Sequence, residues 1–151
     1  MRYLGLDVGD RWIGVAISDP TGTIARPLKT LEHRSPKADF AAVASLVEEY
    51  GVRAVVVGIP YGLDGGVGPQ AERIGRYVDG LVCRLDVPVI RWDERFSTAA
   101  ADEILLKTRK EGARRRARAS GEIDAIAAAV ILQSYLDSLS ETPCFPGERA
   151  T

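Results

Sequence analysis

Three acids in this 151-residue chain, Asp7, Glu94 and Asp124, stand where a carboxylate could do chemistry. Asp7 lies inside Tyr-Leu-Gly-Leu-Asp-Val, residues 3–8, on the opposite side of the strand from Leu4, Leu6 and Val8. A carboxylate is disfavoured within a strand, and Gly5 and Gly9 beside it leave room for a ligand or a phosphate backbone. A solvated acid at a sheet edge is the plainer alternative. Glu94 falls in Trp92-Asp93-Glu94-Arg95-Phe96-Ser97-Thr98, where a buried strand gives way to a helix. Ligand sites of open α/β sheets collect at such carboxyl strand ends. Ser97 or Thr98 would cap the helix, but two consecutive acids beside an arginine exceed what a cap requires. Asp124 opens a helix, where an acid suits the macrodipole. It also shares a stripe with Ala128, Ile131 and Tyr135, and the small residues after it would let the helix lie close on a sheet.

Three carboxylates converging from separated segments would suit a hard divalent cation, which takes oxygen ligands and keeps several waters. Without a cation, clustered acids raise one another's pKa. Oxygen ligands accept Mg²⁺ and Mn²⁺ alike. Paired metals of this kind activate water and stabilise a leaving oxygen in phosphodiester cleavage. The lone His33 lies in a polar segment, which leaves no histidine-based triad or zinc site, and no Ser-His or Cys-His pair is evident. Cys83 and Cys144 are too few and too far apart for a disulfide framework and read as free thiols.

The formal net charge of −1 hides an asymmetry. Residues 107–118 carry seven basic groups, Lys107, Arg109, Lys110, Arg114, Arg115, Arg116 and Arg118, against one acid. The remainder holds 13 basic and 20 acidic residues, a balance of −7. A basic block on an acidic body, tethered between the Glu94 and Asp124 segments, would grip phosphates without reading sequence. The loop 58–69 contains five glycines and two prolines. It lacks the Gly-Lys-Ser/Thr ending of a Walker A sequence, although glycine amides ahead of a helix can still cradle a phosphate.

The elements that must position these groups are legible from periodicity. Alternation predicts strands over 3–8, 12–18 and 24–31; the first two are joined tightly enough to be antiparallel, and the third is broken by Pro27 and so near an edge. Asp19-Pro20-Thr21-Gly22 is a turn by composition. Ser35-Pro36 opens a helix with Phe40, Val43, Ala44 and Val47 on one face, ending at Gly51. Residues 53–58 hold the run Ala-Val-Val-Val, apolar on both faces, as a central parallel strand requires. A helix over about 69–82, a strand ending at Trp92, a helix begun at Ser97 or Thr98, and a helix from about Gly121 to Leu139 complete the order. A meander followed by βαβ units makes a mixed sheet flanked by helices. One domain over 1–138 and a flexible tail over 139–151 are expected. With no leader-like segment and no membrane-length apolar run, a cytosolic location is expected.

The ordered set of motifs resembles a known family. Leu-Gly-Leu-Asp7-Val-Gly, Arg11-Trp-Ile-Gly-Val-Ala-Ile-Ser-Asp19-Pro, Val57-Gly-Ile-Pro60, Asp64-Gly65 and Gly68-Pro-Gln-Ala-Glu72 follow one another, then the Glu94 and Asp124 segments. They resemble the YqgF family of bacterial pre-16S ribosomal RNA nucleases, also called Holliday-junction-resolvase-like proteins, over residues 1 to about 138. The resemblance implies a ribonuclease-H-like α/β fold on a mixed five-stranded sheet, and trimming of the 5′ end of precursor 16S rRNA with Mg²⁺ or Mn²⁺. It places the acidic site on Asp7, Glu94 and Asp124, with Arg95, Ser97 and Thr98 supporting Glu94 or contacting the backbone; Arg11 is a further expected nucleic-acid contact. The partners implied are precursor 16S rRNA or pre-ribosomal particles, with the protein a monomer or weak homodimer and no membrane involved. Two positions depart from the family pattern: Asp10 replaces a threonine or serine, and Gly62 replaces an asparagine.

Three other readings compete. A DNA-junction resolvase would use the same chemistry but needs a stable two-fold dimer. Leu-Asp-Val-Gly followed by Ile-Gly-Val-Ala also resembles the first phosphate motif of actin-like and sugar-kinase ATPases, which need a second domain that this length does not supply. A non-catalytic RNA-binding factor in ribosome assembly or transcription would need none of the three acids.

Overall fold

The computed structural model describes residues 1–61, 66–94 and 122–141. Strands β1 (Arg2–Val8), β2 (Trp12–Ser18) and β3 (Ala25–Glu32) form the expected meander. Helix α1 (Pro36–Tyr50), strand β4 (Val52–Ile59), helix α2 (Pro69–Val82), strand β5 (Val89–Asp93) and helix α3 (Glu122–Glu141) follow. The five strands lie in the order β3-β2-β1-β4-β5. The β1–β2 and β2–β3 pairs are antiparallel, and β1–β4 and β4–β5 are parallel. This is the expected mixed sheet, with β3 and its Pro27 at one edge. A register shift between Val15 and Ala16 absorbs the irregularity opposite that proline.

Local chemistry sets the boundaries. The Ser35 side chain accepts a hydrogen bond from the Ala38 amide, Pro36 takes the first turn of α1, and Gly51 ends the helix at φ +61°. In the β2–β3 turn, Asp19 accepts from the amides of Thr23 (2.8 Å) and Ile24 (3.0 Å), which holds its carboxyl well below the usual range. Gly22 takes φ +71° there, a conformation glycine adopts without a Cβ penalty.

Strand alternation divides the interior into two layers. Leu4, Leu6, Val8, Ile13, Val15, Ile17, Val55 and Val57 face α1 and α2. Ala16 and Val56 face α3, against Ala128, Ile131, Leu132 and Leu136. The buried face of α1 is rotated from expectation: it presents Asp39, Phe40, Val43 and Leu46, with Val47 only partly covered. Helix α3 lies chiefly on β2, β3 and β1 and is fastened across the sheet. Gln133 accepts from the Ala25 amide (2.8 Å) and donates to the Thr23 carbonyl (2.9 Å), while Trp92 Nε1 donates to Ser134 Oγ (3.2 Å). The helix continues to Glu141, three residues past the expected domain boundary. No helix among the described residues is long and apolar enough to cross a membrane.

Asp39, only 3% exposed, is a hub that the sequence did not announce. It accepts from His33 Nδ1, from the Arg34 amide (3.1 Å) and from the Tyr77 hydroxyl (2.9 Å), so it joins the β3–α1 connection to α2. His33 is therefore not a free residue of a polar segment. Burial and the Asp39 carboxylate together push the Tyr77 phenol up. Replacing Asp39 with Ala strands three donors in a largely dry place and should cost about 3 kcal/mol, read as a lower urea midpoint at unchanged m.

Candidate active site

All three acids come to one rim of the sheet, each for a different local reason. Asp7 is next to last in β1, on the α3 side. Glu94 directly follows the last residue of β5, two strands away. Asp124 stands in the first turn of α3, whose N-terminus overhangs the same rim. Asp7 and Glu94 share a hydrogen bond, and Asp124 lies within electrostatic reach of Asp7.

Glycines on the sheet make this approach possible. Asp7 pairs with Gly14 across β2, and Gly58 of β4 stands one residue beyond the Leu6–Val57 pair. A Cβ on Gly14 would lie 1.8 Å from the Asp124 carbonyl oxygen. One on Gly58 would lie 2.6 Å from Ile131 Cδ1 and 2.9 Å from Glu94 Cγ. The acid in β1 is thus flanked on both neighbouring strands by bare backbone, over which α3 and Glu94 close. Gly5 serves the same packing, since a Cβ there would meet Leu132 Cβ at 2.8 Å. Its space is filled by α3 and is not open to a ligand, contrary to expectation. Gly9 instead tightens the β1–β2 turn, where its amide donates to the Trp12 carbonyl (2.9 Å).

Crowding sets the protonation. Asp7 is pushed up to about 8, first by burial and then by its hydrogen bond to Glu94 and that group's charge. Asp124 is raised to about 6 by burial and by Asp7. A hydrogen bond between two carboxyl groups needs a proton, and burial favours keeping one on the Asp7–Glu94 pair. As the side chains stand, no three acids, histidines or cysteines among the described residues are grouped as a metal centre. The donor chemistry nonetheless fits a hard divalent cation: three carboxylates, two of them in contact, with their mutual repulsion relieved by a proton on Asp7. A cation shared by all three would need their carboxylates closer together than they stand.

Arg11 is exposed in the β1–β2 turn, its guanidinium 5.1 Å from the Trp12 ring centre. Asp10 does not join Asp7. It pairs with Arg73 of α2 at 3.1 Å, on the other side of the rim. Arg95, Ser97, Thr98 and the basic residues Lys107, Arg109, Lys110, Arg114, Arg115, Arg116 and Arg118 lie outside the described residues, as do Gly62 and Asp64. So do Cys144 and the helix expected from Ser97 or Thr98; Cys83 is a free, exposed thiol.

A mixed sheet in this order with helices packed on both faces is a ribonuclease-H-like α/β fold. Solved structures share that fold at low identity. A Thermus thermophilus RuvC in complex with Holliday junction substrate matches with TM-score 0.56 and 18% identity, covering 94% of this chain and 97% of that one. The fowlpox virus Holliday junction resolvase matches with TM-score 0.54 and 17% identity, over 92% and 99%. The chain belongs to the RuvX family, described as Holliday junction resolvase, whose model matches residues 1–138. Relatives from Desulforudis audaxviator (44% identity over 138 residues, 91% of this chain and 95% of theirs) and Moorella thermoacetica (45% over 141 residues, 93% and 98%) are named "Putative pre-16S rRNA nuclease".

Proposed function

We propose that this protein is a metal-dependent endonuclease that processes the 5′ end of precursor 16S rRNA during ribosome biogenesis in the cytoplasm. The observation that carries this reading is the meeting of Asp7, Glu94 and Asp124 from three separate elements, with Asp7 raised to about 8. Carboxylates crowded in this way cost free energy that a bound cation would relieve, which is why such clusters mark functional sites. The relatives' names point to the RNA, and the family membership to phosphodiester chemistry. Mg²⁺ or Mn²⁺ held by the three acids would supply an activated water and stabilise the departing oxygen. Asp7 and Glu94 would give up their shared proton on loading and position the ion over the β1 end. The basic residues at 107–118, with Arg95, Ser97 and Thr98, would hold the phosphate backbone.

The family description favours a second reading, cleavage of a four-way DNA junction. Symmetric junction cleavage needs a two-fold dimer. The two readings separate when purified protein is offered labelled precursor 16S 5′-end RNA and a four-way DNA junction side by side, with its mass in solution measured. Metal-dependent cutting of the RNA by a monomer is expected. Junction cutting by a stable dimer, with the RNA intact, would replace the first reading with the second. Binding of the RNA without cutting under any metal condition would leave an assembly factor.

A further inference from the structure

Opposite the acids, on the α1–α2 side of the same rim, a cleft of about 180 Å³ is lined by Val8, Gly9, Asp10, His33, Arg73 and Tyr77, among others. Val8 follows Asp7 directly, and successive strand side chains point to opposite faces, so the cleft and the acid site stand back to back at the end of β1. His33 is fixed from three directions. Its Nδ1–H donates to buried Asp39, its amide donates to the Arg11 carbonyl (2.8 Å), and its ring meets Tyr77 edge-on at 5.6 Å and 84°. Its Nε2 has no partner among the described residues. Among the described residues, Arg73 beside it is engaged only by Asp10, and that pair is exposed on both sides, so its hold on the guanidinium is weak.

We propose that this cleft is a phosphate subsite, in which His33 and Arg73 bind a phosphodiester of the nucleic-acid strand as it passes over the β1–β2 turn. The inference rests on the nuclease reading and adds a contact to it. With Nδ1 committed to the Asp39 carboxylate behind the ring, Nε2 is the ring nitrogen left to face a phosphate oxygen. Arg73 exchanges the exposed Asp10 carboxylate for the phosphate. The cleft is smaller than the roughly 300 Å³ at which small-molecule pockets begin, so it accommodates a phosphate group and not a whole nucleotide. Asp10 acts as a weak competitor for that group.

Binding of a short, labelled single-stranded oligoribonucleotide to the full chain tests the subsite, by anisotropy with chelator present so that no cutting occurs. Arg73→Gln should weaken binding about fivefold and lower the salt slope by roughly 0.7, one phosphate contact on a single strand. Asp10→Asn should tighten binding about threefold. Both residues are exposed, so neither substitution threatens the fold; His33→Ala, which strips a donor from Asp39, is read beside them with its melting temperature. Unchanged affinity and slope in Arg73→Gln and Asp10→Asn would overturn the subsite while leaving the nuclease reading intact. Failure of the wild type to bind the oligonucleotide at all would overturn both. Displacement of the probe by adenosine monophosphate from wild type but not from Arg73→Gln would overturn the strand assignment in favour of a mononucleotide site.

Discussion

Asp7→Asn should raise the melting temperature of the metal-free protein while abolishing cleavage. The folded state holds a proton on Asp7 up to about pH 8, whereas the unfolded chain loses it near its ordinary value of 3.8. Between those limits the folded protein binds more protons than the unfolded one, so stability falls as pH rises through the window. Below about pH 4 both states are protonated and Asp7 costs nothing. Above pH 8 both are ionised, and the full cost of a buried carboxylate against Glu94 and Asp124 is present. Asparagine resembles the protonated acid: it carries no charge and its amide donates to Glu94 as the Asp7 hydroxyl does. The gain should therefore be absent at pH 4 and reach about 2–3 kcal/mol at pH 8 to 9, or roughly 5–10 °C in melting temperature. Calorimetry across that range checks it. A variant less stable than wild type at pH 9 would mean that the acids are not in conflict. Added Mg²⁺ should stabilise the wild type and leave Asp7→Asn unmoved.

Gly14→Ala should be the most damaging single methyl in the described part of the chain. The new Cβ would sit 1.8 Å from the Asp124 carbonyl oxygen and 2.7 Å from the Ala125 amide, and both are backbone atoms that no rotamer change can clear. The first turn of α3 must lift from β2. Leu132 and Ala128 lie tight on Gly5 further along the helix, so the displacement spreads into the core. A loss of about 3 kcal/mol or more is expected, in the range of severe overpacking. Cleavage should fall at least about 100-fold, because Asp124 moves with the helix and a shift near 1 Å costs that much. At Gly58→Ala the nearest atoms, Ile131 Cδ1 and Glu94 Cγ, belong to side chains, which can shift more easily than backbone. It should therefore lose little stability and much activity. Circular dichroism melts with single-turnover cleavage would separate the two variants. Equal stability of Gly14→Ala and wild type would show that α3 does not rest on β2 as described.

Sequence legibility followed the range over which each feature is determined. Strand ends fell within a residue or two because alternation and turn chemistry are local, as at Asp19–Gly22. The start and stop of α1 were written in Ser35-Pro36 and Gly51. Asp7 was legible as a functional candidate because a carboxylate inside a strand breaks a local rule, and such breaks mark functional sites. Asp39 breaks no rule: an acid in the first turn of a helix looks like a dipole partner, and its bond to Tyr77 spans 38 residues. Its burial, and with it the fixed orientation of His33, follows only from how α1 meets α2. The role of the glycines is hidden for the same reason. Gly5 suggested space for a ligand, whereas the packing of α3 fills that space, and the weight carried by Gly14 depends on a helix more than a hundred residues away in the chain.

The central claim is that Asp7, Glu94 and Asp124 form one hydrolytic centre. Its most direct test is single-turnover cleavage of precursor 16S 5′-end RNA as a function of Mg²⁺ and Mn²⁺ concentration. Wild type would be compared with Asp7→Asn, Glu94→Gln and Asp124→Asn, with RNA binding measured in parallel. Cleavage that needs the metal and is lost in all three variants, with RNA affinity retained, is the expected result. Undiminished cleavage in Asp7→Asn, or cleavage indifferent to chelator, would contradict it.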